Sequence, residues 1–562
     1  MYSWLVEKSF FSNDNSAFFL LTVAIFVIRL VAPLAYFYVT CLFLSSDLQS
    51  RVARSPLLVL WTLWMGAEVL YFPYYWVTLR RLGRIKKKEH ACETQAERLR
   101  LLQQCFDCIT MVASDQSQRT EVCREMLSGW FHRSDFEKIR KENVKEWLAW
   151  AFFEHSPKSL DTEERRNCQD LMDELERLME HKFHAGYDPQ VKSIRLTMDP
   201  LVTMQRPLVF YFVIFFAHLA GWMALYSLGF RYRFVDGHKV HYRLPSQNKE
   251  RKGEEGGGKE GVRKRPLVFV HGLGIGYLHY ARLFWELCRT DEKGNETPMF
   301  CLENPNTIMS LGAETGASYK ATLKLFSDLL KEEGYKDACF VGHSFGTITV
   351  SWLLRHGGEE GRRLVASTVL IDPITFLLCE PSVAYNFIHK EPETAVELMM
   401  NFFVSSELYT ANTLGRNFSW SHAVVFFEDL PKGPEARNAV VLSSEDSIVP
   451  AHKVRAYLDE SNRRYKLERR ASGQLSPPLA PAPAVSVESG GAGGGLRQRH
   501  KPELEREGGG QGEGLEEQPQ HAVNIVWFQG AHHGQILMRD SDVELIAKEI
   551  RRALRVRTGG WG

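Results

Sequence analysis

The chain has 562 residues, of which 44% are hydrophobic and 24% are charged, and its formal net charge is +1. This length exceeds that of one ordinary domain, so we expect at least two regions. A near-zero charge gives no global attraction to nucleic acid, and ten cysteines in so long a chain do not indicate a disulfide scaffold.

Three long apolar segments predict a membrane-anchoring region. Residues 17–44, 56–79 and 207–230 are each long enough to cross a hydrocarbon core of about 30 Å as a helix. Tyrosines and tryptophans near their ends favour a membrane over the interior of a large soluble domain. We therefore expect a transmembrane hairpin and a basic juxtamembrane segment in residues 1–89. Residues 206–230 are expected to form a third helix that is transmembrane or interfacial.

The first two segments each carry a charged residue, Arg29 in the first and Glu68 in the second. An isolated charge in lipid is costly, and both residues fall near the middle of an antiparallel hairpin. The hypothesis is that Arg29 and Glu68 form an ion pair. The alternatives are that either side chain extends to the interface or faces protein.

A basic cluster follows the second segment, at Arg80, Arg81, Arg84 and the three lysines at residues 86–88. Such a cluster is typical of the cytoplasmic side of a membrane and suits anionic lipid headgroups. If the third segment crosses the membrane, the C-terminal half lies in a lumen. If that segment is re-entrant or interfacial, the C-terminal half stays in the cytosol. The sequence leaves this choice open. The expected location is an endomembrane such as the endoplasmic reticulum.

Residues 90–205 have apolar side chains at helical spacing and are predicted to be a helical linker region. They hold no recognisable catalytic constellation. Cys105 and Cys108 lie three residues apart, but no second cysteine pair has the spacing of a zinc site. A linker or a partner-binding module is the expected role.

The pattern changes at Arg231 to alternating strands and helices. A hairpin is predicted to turn at Asp236-Gly237, and short apolar runs predict the strands of a parallel sheet. These runs are residues 266–270, 299–302, 338–341, 366–371, 439–442 and 523–528. Strand–helix alternation of this kind predicts a mostly parallel sheet with helices on both faces, within residues 231–562.

Two glycine-containing loops follow predicted strands, His-Gly-Leu-Gly-Ile-Gly at residues 271–276 and G-x-S-x-G at residues 342–346. Between a strand and a helix, the second motif lifts a serine hydroxyl above the sheet, and the next amide points at the reacting oxygen. We therefore predict that Ser344 is a nucleophile. Backbone N–H groups of the first loop are predicted to approach a developing oxyanion, and His271 is expected to be structural.

A serine nucleophile needs a histidine base and a carboxylate that orients the base. Asp446 and His533 each follow an apolar run, so both are expected at the carboxyl ends of strands. Asp372, at the end of another run, is an alternative acid, and Glu445 is a third choice. The adjacent His532 is an alternative base, although His533 precedes a glycine and matches the pattern better.

The order of these elements resembles the α/β-hydrolase superfamily over about residues 231–556. The matching parts are the 271–276 loop, the 342–346 elbow, the Asp446 loop with its Ile-Val-Pro sequence at residues 448–450, and the His533-Gly534 pair. The resemblance implies an α/β-hydrolase fold. The layout of the whole chain is also similar to membrane-bound hydrolases of lipid metabolism.

The resemblance further implies a triad of Ser344, Asp446 and His533, and an oxyanion hole formed by the amides of Leu273 and Phe345. No phosphate-binding loop, dinucleotide fingerprint or metal-ligand cluster is apparent in the sequence. No cofactor and no metal are therefore expected.

Two segments depart from the strand–helix pattern. Residues 374–432 lie between predicted strands and are rich in aromatic and aliphatic residues, as expected of an apolar lid. Residues 466–521 are rich in Pro, Gly, Ser and Glu and are predicted to be a disordered insertion between Asp446 and His533, and residues 249–265 are predicted to be a flexible loop. An apolar lid beside a membrane anchor favours a lipid-like or acyl ester substrate over a small soluble ester.

The sequence therefore predicts a membrane-anchored serine hydrolase that cleaves a lipid or acyl ester through an acyl-enzyme. Its expected partners are membrane lipids and that substrate, with no nucleic acid. An acyltransferase that uses the same triad is one alternative, and a non-catalytic scaffold that retains the fold is the other. Thioesters and amides stay open as substrates.

Overall fold

The computed structural model describes residues 15–85, 92–245, 264–289, 296–316, 318–433, 435–472 and 522–555. The flexible loop predicted at residues 249–265 lies almost wholly outside these ranges, as does the predicted insertion from residue 473 onward. Residues 466–471 correct the predicted start of that insertion, because they form the end of the helix Ala451–Ala471. Their lysine, leucine, glutamate and arginines are good helix formers, which explains the longer helix.

Within these described ranges, three helices are long and apolar enough to cross a membrane, Asn15–Leu44, Pro56–Leu82 and Leu208–Ser227. The short helix Ser46–Arg54 joins the first two, which pack side by side as an antiparallel hairpin. Within the hairpin, Tyr36 Oη donates a hydrogen bond to the carbonyl oxygen of Val69 at 3.0 Å. The hairpin predicted from the first two apolar segments is therefore present.

The predicted ion pair between Arg29 and Glu68 is wrong. Glu68 is buried and accepts hydrogen bonds from the backbone N–H groups of Leu208 at 2.7 Å and Val209 at 3.0 Å. These two residues begin the third apolar helix. The carboxylate therefore caps a helix N-terminus, where orphan N–H groups and the helix dipole both favour a negative charge. Arg29 is exposed on its own helix.

The region predicted as a helical linker instead packs against the C-terminal half. Its helices are Gln95–Thr110, Gln116–Trp130, Lys141–Phe153 and Thr162–Leu178. Their apolar faces share one hydrophobic cluster with a face of the sheet, so that Leu148 and Leu171 belong to the same core as Phe340. Helical spacing in the sequence identified the buried faces, and the sheet supplies the surface that covers them.

The sheet has eight strands in the order β1-β2-β4-β3-β5-β6-β7-β8. The strands are β1 Arg231–Val235, β2 His238–Arg243, β3 Leu267–Val270, β4 Met299–Leu302, β5 Ala338–His343, β6 Val365–Ile371, β7 Asn438–Ser443 and β8 Val523–Phe528. The predicted hairpin β1–β2 lies at one edge, and β2 pairs with β4 in antiparallel register. All other pairings, from β4 across to β8, are parallel.

Helices cover both faces of this sheet, as the strand–helix alternation predicts. Val268 and Phe340 point into the cluster shared with the helical region, whereas Leu267 and Val341 point into a second cluster. The helices are Ala281–Cys288 and Asp540–Leu554 on the second face, and Tyr319–Glu332, Thr347–His356, Gly358–Leu364 and Ala451–Ala471 on the first. Burial on both faces accounts for strands that read as continuous apolar runs.

The segment predicted as a lid, residues 374–432, connects β6 to β7 and contains several short helices. They are Ser382–Ala384, Ala395–Met400, Leu408–Asn412 and Trp420–Ala423. This segment also contacts the apolar helices, because Phe402 packs with Leu21 and Ile25, and Tyr409 packs with Tyr71. It is therefore held between the sheet and the first two apolar helices.

Candidate active site

Ser344 lies at a sharp turn between β5 and the helix Thr347–His356. Its φ is +51°, in the left-handed region that residues other than glycine rarely adopt. A Cβ atom at Gly346 would overlap the carbonyl oxygen of Val270, and one at Gly342 would lie 3.0 Å from Thr347 Cα. The two glycines thus permit the crowded turn that lifts the serine above the sheet.

Ser344, His533 and Asp446 form a continuous chain of hydrogen bonds. The distance from His533 Nε2 to Ser344 Oγ is 2.8 Å, and that from His533 Nδ1 to Asp446 Oδ2 is 2.6 Å. Asp446 Oδ1 accepts hydrogen bonds from the N–H groups of Ile448 at 2.8 Å and Val449 at 2.9 Å, which fixes the carboxylate. In this arrangement Nε2 can take a proton from the serine while Nδ1–H is held by the carboxylate.

Two carboxylates next to His533 set the electrostatics of the site. Burial by itself would lower the pKa of His533, but the charge and hydrogen bond of Asp446 outweigh it and raise the pKa to about 8. Burial raises the pKa of Asp372 to about 6, and the nearby Asp446 acts in the same direction. The site therefore favours the imidazolium form that accompanies removal of the serine proton.

Asp372, the alternative acid, makes its hydrogen bonds to other groups. Its Oδ2 accepts from the N–H of Gly534 at 2.8 Å and from Ser443 Oγ at 3.1 Å, and its Oδ1 accepts from the N–H of Ser443 at 3.0 Å. Asp372 thus ties the end of β7 to the loop that carries His533. The structure brings Asp446, and not Asp372, onto His533 Nδ1.

The alternative base His532 is directed away from the serine. Its Nδ1 lies 3.0 Å from the carbonyl oxygen of Glu445, and its backbone N–H donates to Gln535 at 2.9 Å. The backbone N–H of Glu445 donates to the carbonyl oxygen of Ala531 at 2.9 Å. Of the two adjacent histidines, His533 is the one that reaches Ser344.

The ligand atoms of Asp372, Asp446 and His533 lie within 4.8 Å of one another, close enough to be considered as a metal site, and no other group in the described ranges meets that condition. Both ring nitrogens of His533 are already hydrogen bonded, to Ser344 and to Asp446. Hydrogen bonds to their neighbours therefore account for the closeness of these three side chains.

The loop after β3 passes directly over Ser344. A Cβ atom at Gly272 would lie 3.0 Å from Ser344 Cβ, and Leu273 and Phe345 line the same cavity as Ser344. His271, expected to be structural, bonds to backbone groups through both ring nitrogens. The donor roles of the Leu273 and Phe345 amides stay a prediction.

Tyr280 is a site residue that the sequence did not identify. The N–H of Gly272 donates to Tyr280 Oη at 2.9 Å, and Tyr280 Oη lies 2.7 Å from His343 Nδ1. Burial, together with the neighbouring His533, keeps the pKa of His343 well below its usual value, so its neutral ring can accept from the tyrosine. Tyr280 therefore links the loop over the nucleophile to the elbow, a contact that depends on the folded positions of both.

An apolar cavity opens at Ser344. Its walls come from five parts of the chain: the loop after β3, the elbow, the predicted lid, the loop that carries Asp446 and the helical region. The lining includes Trp130, Leu273, Phe345, Leu378, Phe418 and Ile448. Ser344 is thus a hydroxyl group in otherwise apolar surroundings.

Comparison with known proteins gives one family match. Residues 267–500 match the model of the alpha/beta hydrolase family. The matched range includes Ser344 and Asp446 and ends before His533. No curated protein matches the sequence.

Similar solved structures include three hydrolases of low sequence identity. Carboxyl esterase 2 of the fungus Tuber melanosporum is 16% identical, with 58% of this chain and 88% of that chain covered and a TM-score of 0.32. An esterase of Pyrobaculum calidifontis is 13% identical, with 62% and 94% covered and a TM-score of 0.33. A bacterial membrane phospholipase A is 14% identical, with 61% and 94% covered and a TM-score of 0.29.

The family match, the strand order and the strained serine between a strand and a helix all agree with the fold expected from the sequence. The described residues from Arg231 onward have the α/β-hydrolase fold.

Proposed function

We propose that this protein is a membrane-anchored serine hydrolase that cleaves an acyl ester. The observation that carries the proposal is the hydrogen-bonded chain from Ser344 Oγ through His533 to Asp446, with distances of 2.8 and 2.6 Å. Ser344 acts as the nucleophile, His533 as the general base and acid, and Asp446 as the group that orients and stabilises the imidazolium.

The reaction has two steps. In the first, Ser344 Oγ attacks the ester carbonyl carbon, its proton passes to His533 Nε2, and the alcohol leaves with that proton. In the second, water attacks the acyl-enzyme with His533 as the base, and the carboxylic acid is released. The amides of Leu273 and Phe345 bind the oxyanion in both steps, and each such donor contributes about 3 kcal/mol to the transition state.

The surroundings of Ser344 support a lipid-like acyl ester as the substrate. Its cavity is lined by aliphatic and aromatic side chains, which suit a hydrocarbon chain and exclude water from the reaction. The predicted lid that forms part of this cavity also packs against the first two apolar helices, through Phe402 and Tyr409. A substrate dissolved in the membrane would therefore approach from the side on which the lid lies.

Contacts of the second apolar helix support a cytosolic position for the hydrolase domain. At the end of this helix, Arg81 pairs with Glu314, and the carbonyl oxygen of Gly83 accepts hydrogen bonds from Arg416 at 3.0 and 3.2 Å. The basic cluster that begins at Arg80 marks this same end as cytoplasmic. We therefore propose that the hydrolase domain lies on the side of the basic cluster.

The third apolar helix, Leu208–Ser227, agrees with this placement because it contacts the hydrolase domain near both of its ends. Tyr211 Oη donates to Glu407 at 2.7 Å, and Trp222 Nε1 donates to Glu303 at 2.6 Å. A helix of 20 residues is about 30 Å long. If this helix crossed the membrane away from the hydrolase domain, only one of its ends would contact the domain. We place it along the domain at the membrane boundary, with its exposed apolar side chains toward lipid. The location of the protein in the endoplasmic reticulum stays a prediction.

Hydrolysis of acyl esters by the full-length protein in detergent tests the proposed function. We expect turnover by the wild type, and losses of about a thousandfold or more in Ser344→Ala and in His533→Ala. His532→Ala is the matched control and should keep most of the activity. Glycerol added to the assay separates transfer of the acyl group to an alcohol from release of the free acid. A folded wild type that turns over no ester, thioester or amide would contradict the proposal.

A further inference from the structure

The helical region contains a second apolar cavity that the proposed reaction does not use. It lies between the helices Gln95–Thr110, Gln116–Trp130 and Lys141–Phe153. Its lining includes Leu102, Cys105, Phe106, Met126 and Ala151. From the hydrolase domain, Cys379 and Trp420 contribute to the wall.

Two tryptophans separate this cavity from the cavity at Ser344. Trp130 of the helical region and Trp420 of the lid segment line both cavities. Trp130 Nε1 donates to the carbonyl oxygen of Cys379 at 2.9 Å, and Trp420 Nε1 donates to that of Ala151 at 2.8 Å. Each indole N–H is thereby satisfied by the opposite part of the chain, so the surface that the two rings offer to the cavities is apolar.

We propose that the second cavity receives the far end of a long acyl chain whose carbonyl group lies at Ser344. Trp130 and Trp420 would then be the specificity-determining residues at the boundary between short and long chains. This inference rests on the proposed function and adds the class of substrate, a long-chain acyl ester. An apolar cavity of this kind stays dry and binds apolar guests, and each methylene that leaves water favours binding.

The inference also gives the helical region a role. Trp130 and Leu196 of this region line the cavity at Ser344, while Cys379 and Trp420 of the hydrolase domain line the cavity inside the region. Neither cavity is complete without both parts of the chain. The close packing of the two parts is therefore what a continuous acyl-binding path requires.

Filling the second cavity tests the proposal through chain-length selectivity. Ala151→Leu adds bulk to the cavity wall at a distance from Ser344. Ala149→Leu, on the same helix and equally buried, is the matched control because Ala149 lines neither cavity. The ratio of kcat/KM for a palmitoyl ester to that for a butyryl ester should fall about tenfold or more in Ala151→Leu and stay unchanged in Ala149→Leu. Equal ratios in both variants and the wild type would overturn the proposal.

A cross-linking experiment on the wild type gives an answer even if these variants fail to fold. The probe is a palmitoyl-length alkyl fluorophosphonate with a diazirine at the end of its chain. Ser344 Oγ forms a bond to phosphorus as fluoride leaves, and irradiation then joins the chain end to its neighbours. We expect cross-links in the helices Gln95–Thr110 and Lys141–Phe153. Cross-links confined to residues 208–227, or to lid residues such as Phe387 and Phe418 that line only the cavity at Ser344, would overturn the placement of the chain. Absence of reaction at Ser344 would contradict the proposed function itself.

Discussion

At the scale of single residues, His533 links the geometry of the site to its pH dependence. Because the pKa of His533 is raised to about 8, its neutral form, which accepts the serine proton, predominates only above that pH. We expect kcat/KM to rise with pH with a midpoint near 8. Asp446→Asn removes the charge that raises the pKa of His533 against the effect of burial. The midpoint should therefore move to lower pH, while the plateau of kcat/KM falls by about four orders of magnitude.

The pH profile of kcat/KM checks this expectation, with Glu445→Gln as the control. Glu445 is the neighbouring carboxylate and should leave the midpoint in place. A midpoint that does not depend on residue 446 would mean that Asp446 is not the acid that bonds the base.

Tyr280 allows a second test at this scale. In Tyr280→Phe, the N–H of Gly272 and Nδ1 of His343 both lose a buried partner, and the loop over the nucleophile loses one of its anchors. We expect kcat to fall about tenfold with little change in KM. Tyr277→Phe is the matched control, because the Tyr277 hydroxyl is also buried but has no partner among the described residues. Equal effects of the two variants on kcat would contradict a positioning role.

The grouping of Ser344, Asp446 and His533 could be predicted from the sequence because each follows an apolar strand and their order along the chain matches the fold. The role of Asp372 could not be predicted from the sequence. Its hydrogen bonds to Ser443 and Gly534 exist because β6 lies beside β7 and the last loop folds over both strands. Local sequence patterns do not reveal the order of the strands in the sheet. For the same reason the sequence did not identify Tyr280, whose hydroxyl accepts a hydrogen bond from Gly272 across a turn.

At the scale of elements, Glu68 joins the second apolar helix to the third. Glu68→Ala leaves the N–H groups of Leu208 and Val209 without an acceptor in an apolar environment, so we expect a loss of about 2 kcal/mol in stability. Thermal unfolding in detergent measures it. Arg29→Leu is the control and should change little, because Arg29 is exposed. If Glu68→Ala and Arg29→Leu lost equal stability, and the variant with both changes lost no more, the result would instead support the ion pair.

The elements themselves were largely predictable, but their partners were not. Periodicity identified the apolar faces of the helices in residues 90–205 and the apolar character of residues 374–432. It gave no information on what covers those faces. Leu148 is buried together with Phe340 of the sheet, and Phe402 is buried against Ile25 of the first apolar helix. Such pairings depend on contacts between distant parts of the chain.

At the scale of the whole molecule, the side of the membrane on which the hydrolase domain lies can be tested on the unaltered chain. Two glycosylation sequons begin at Asn295 and Asn417, both beyond the third apolar helix. The contacts of Arg81 and Gly83 support our proposal that the domain lies on the side of the basic cluster, so we expect neither asparagine to be glycosylated. Endoglycosidase treatment should leave the mobility unchanged, with a luminal glycoprotein from the same membranes as positive control. A mobility shift would place the domain in the lumen.

Labelling with a fluorophosphonate probe tests the central claim most directly, because the probe reacts only with a serine that has an activating base. The full-length protein in detergent is labelled beside Ser344→Ala, and the modified peptide is identified by mass spectrometry. We expect one modified residue, Ser344, and no labelling of the variant. A folded wild type that stays unlabelled, or a label that persists in Ser344→Ala, would contradict the assignment of Ser344 as the nucleophile.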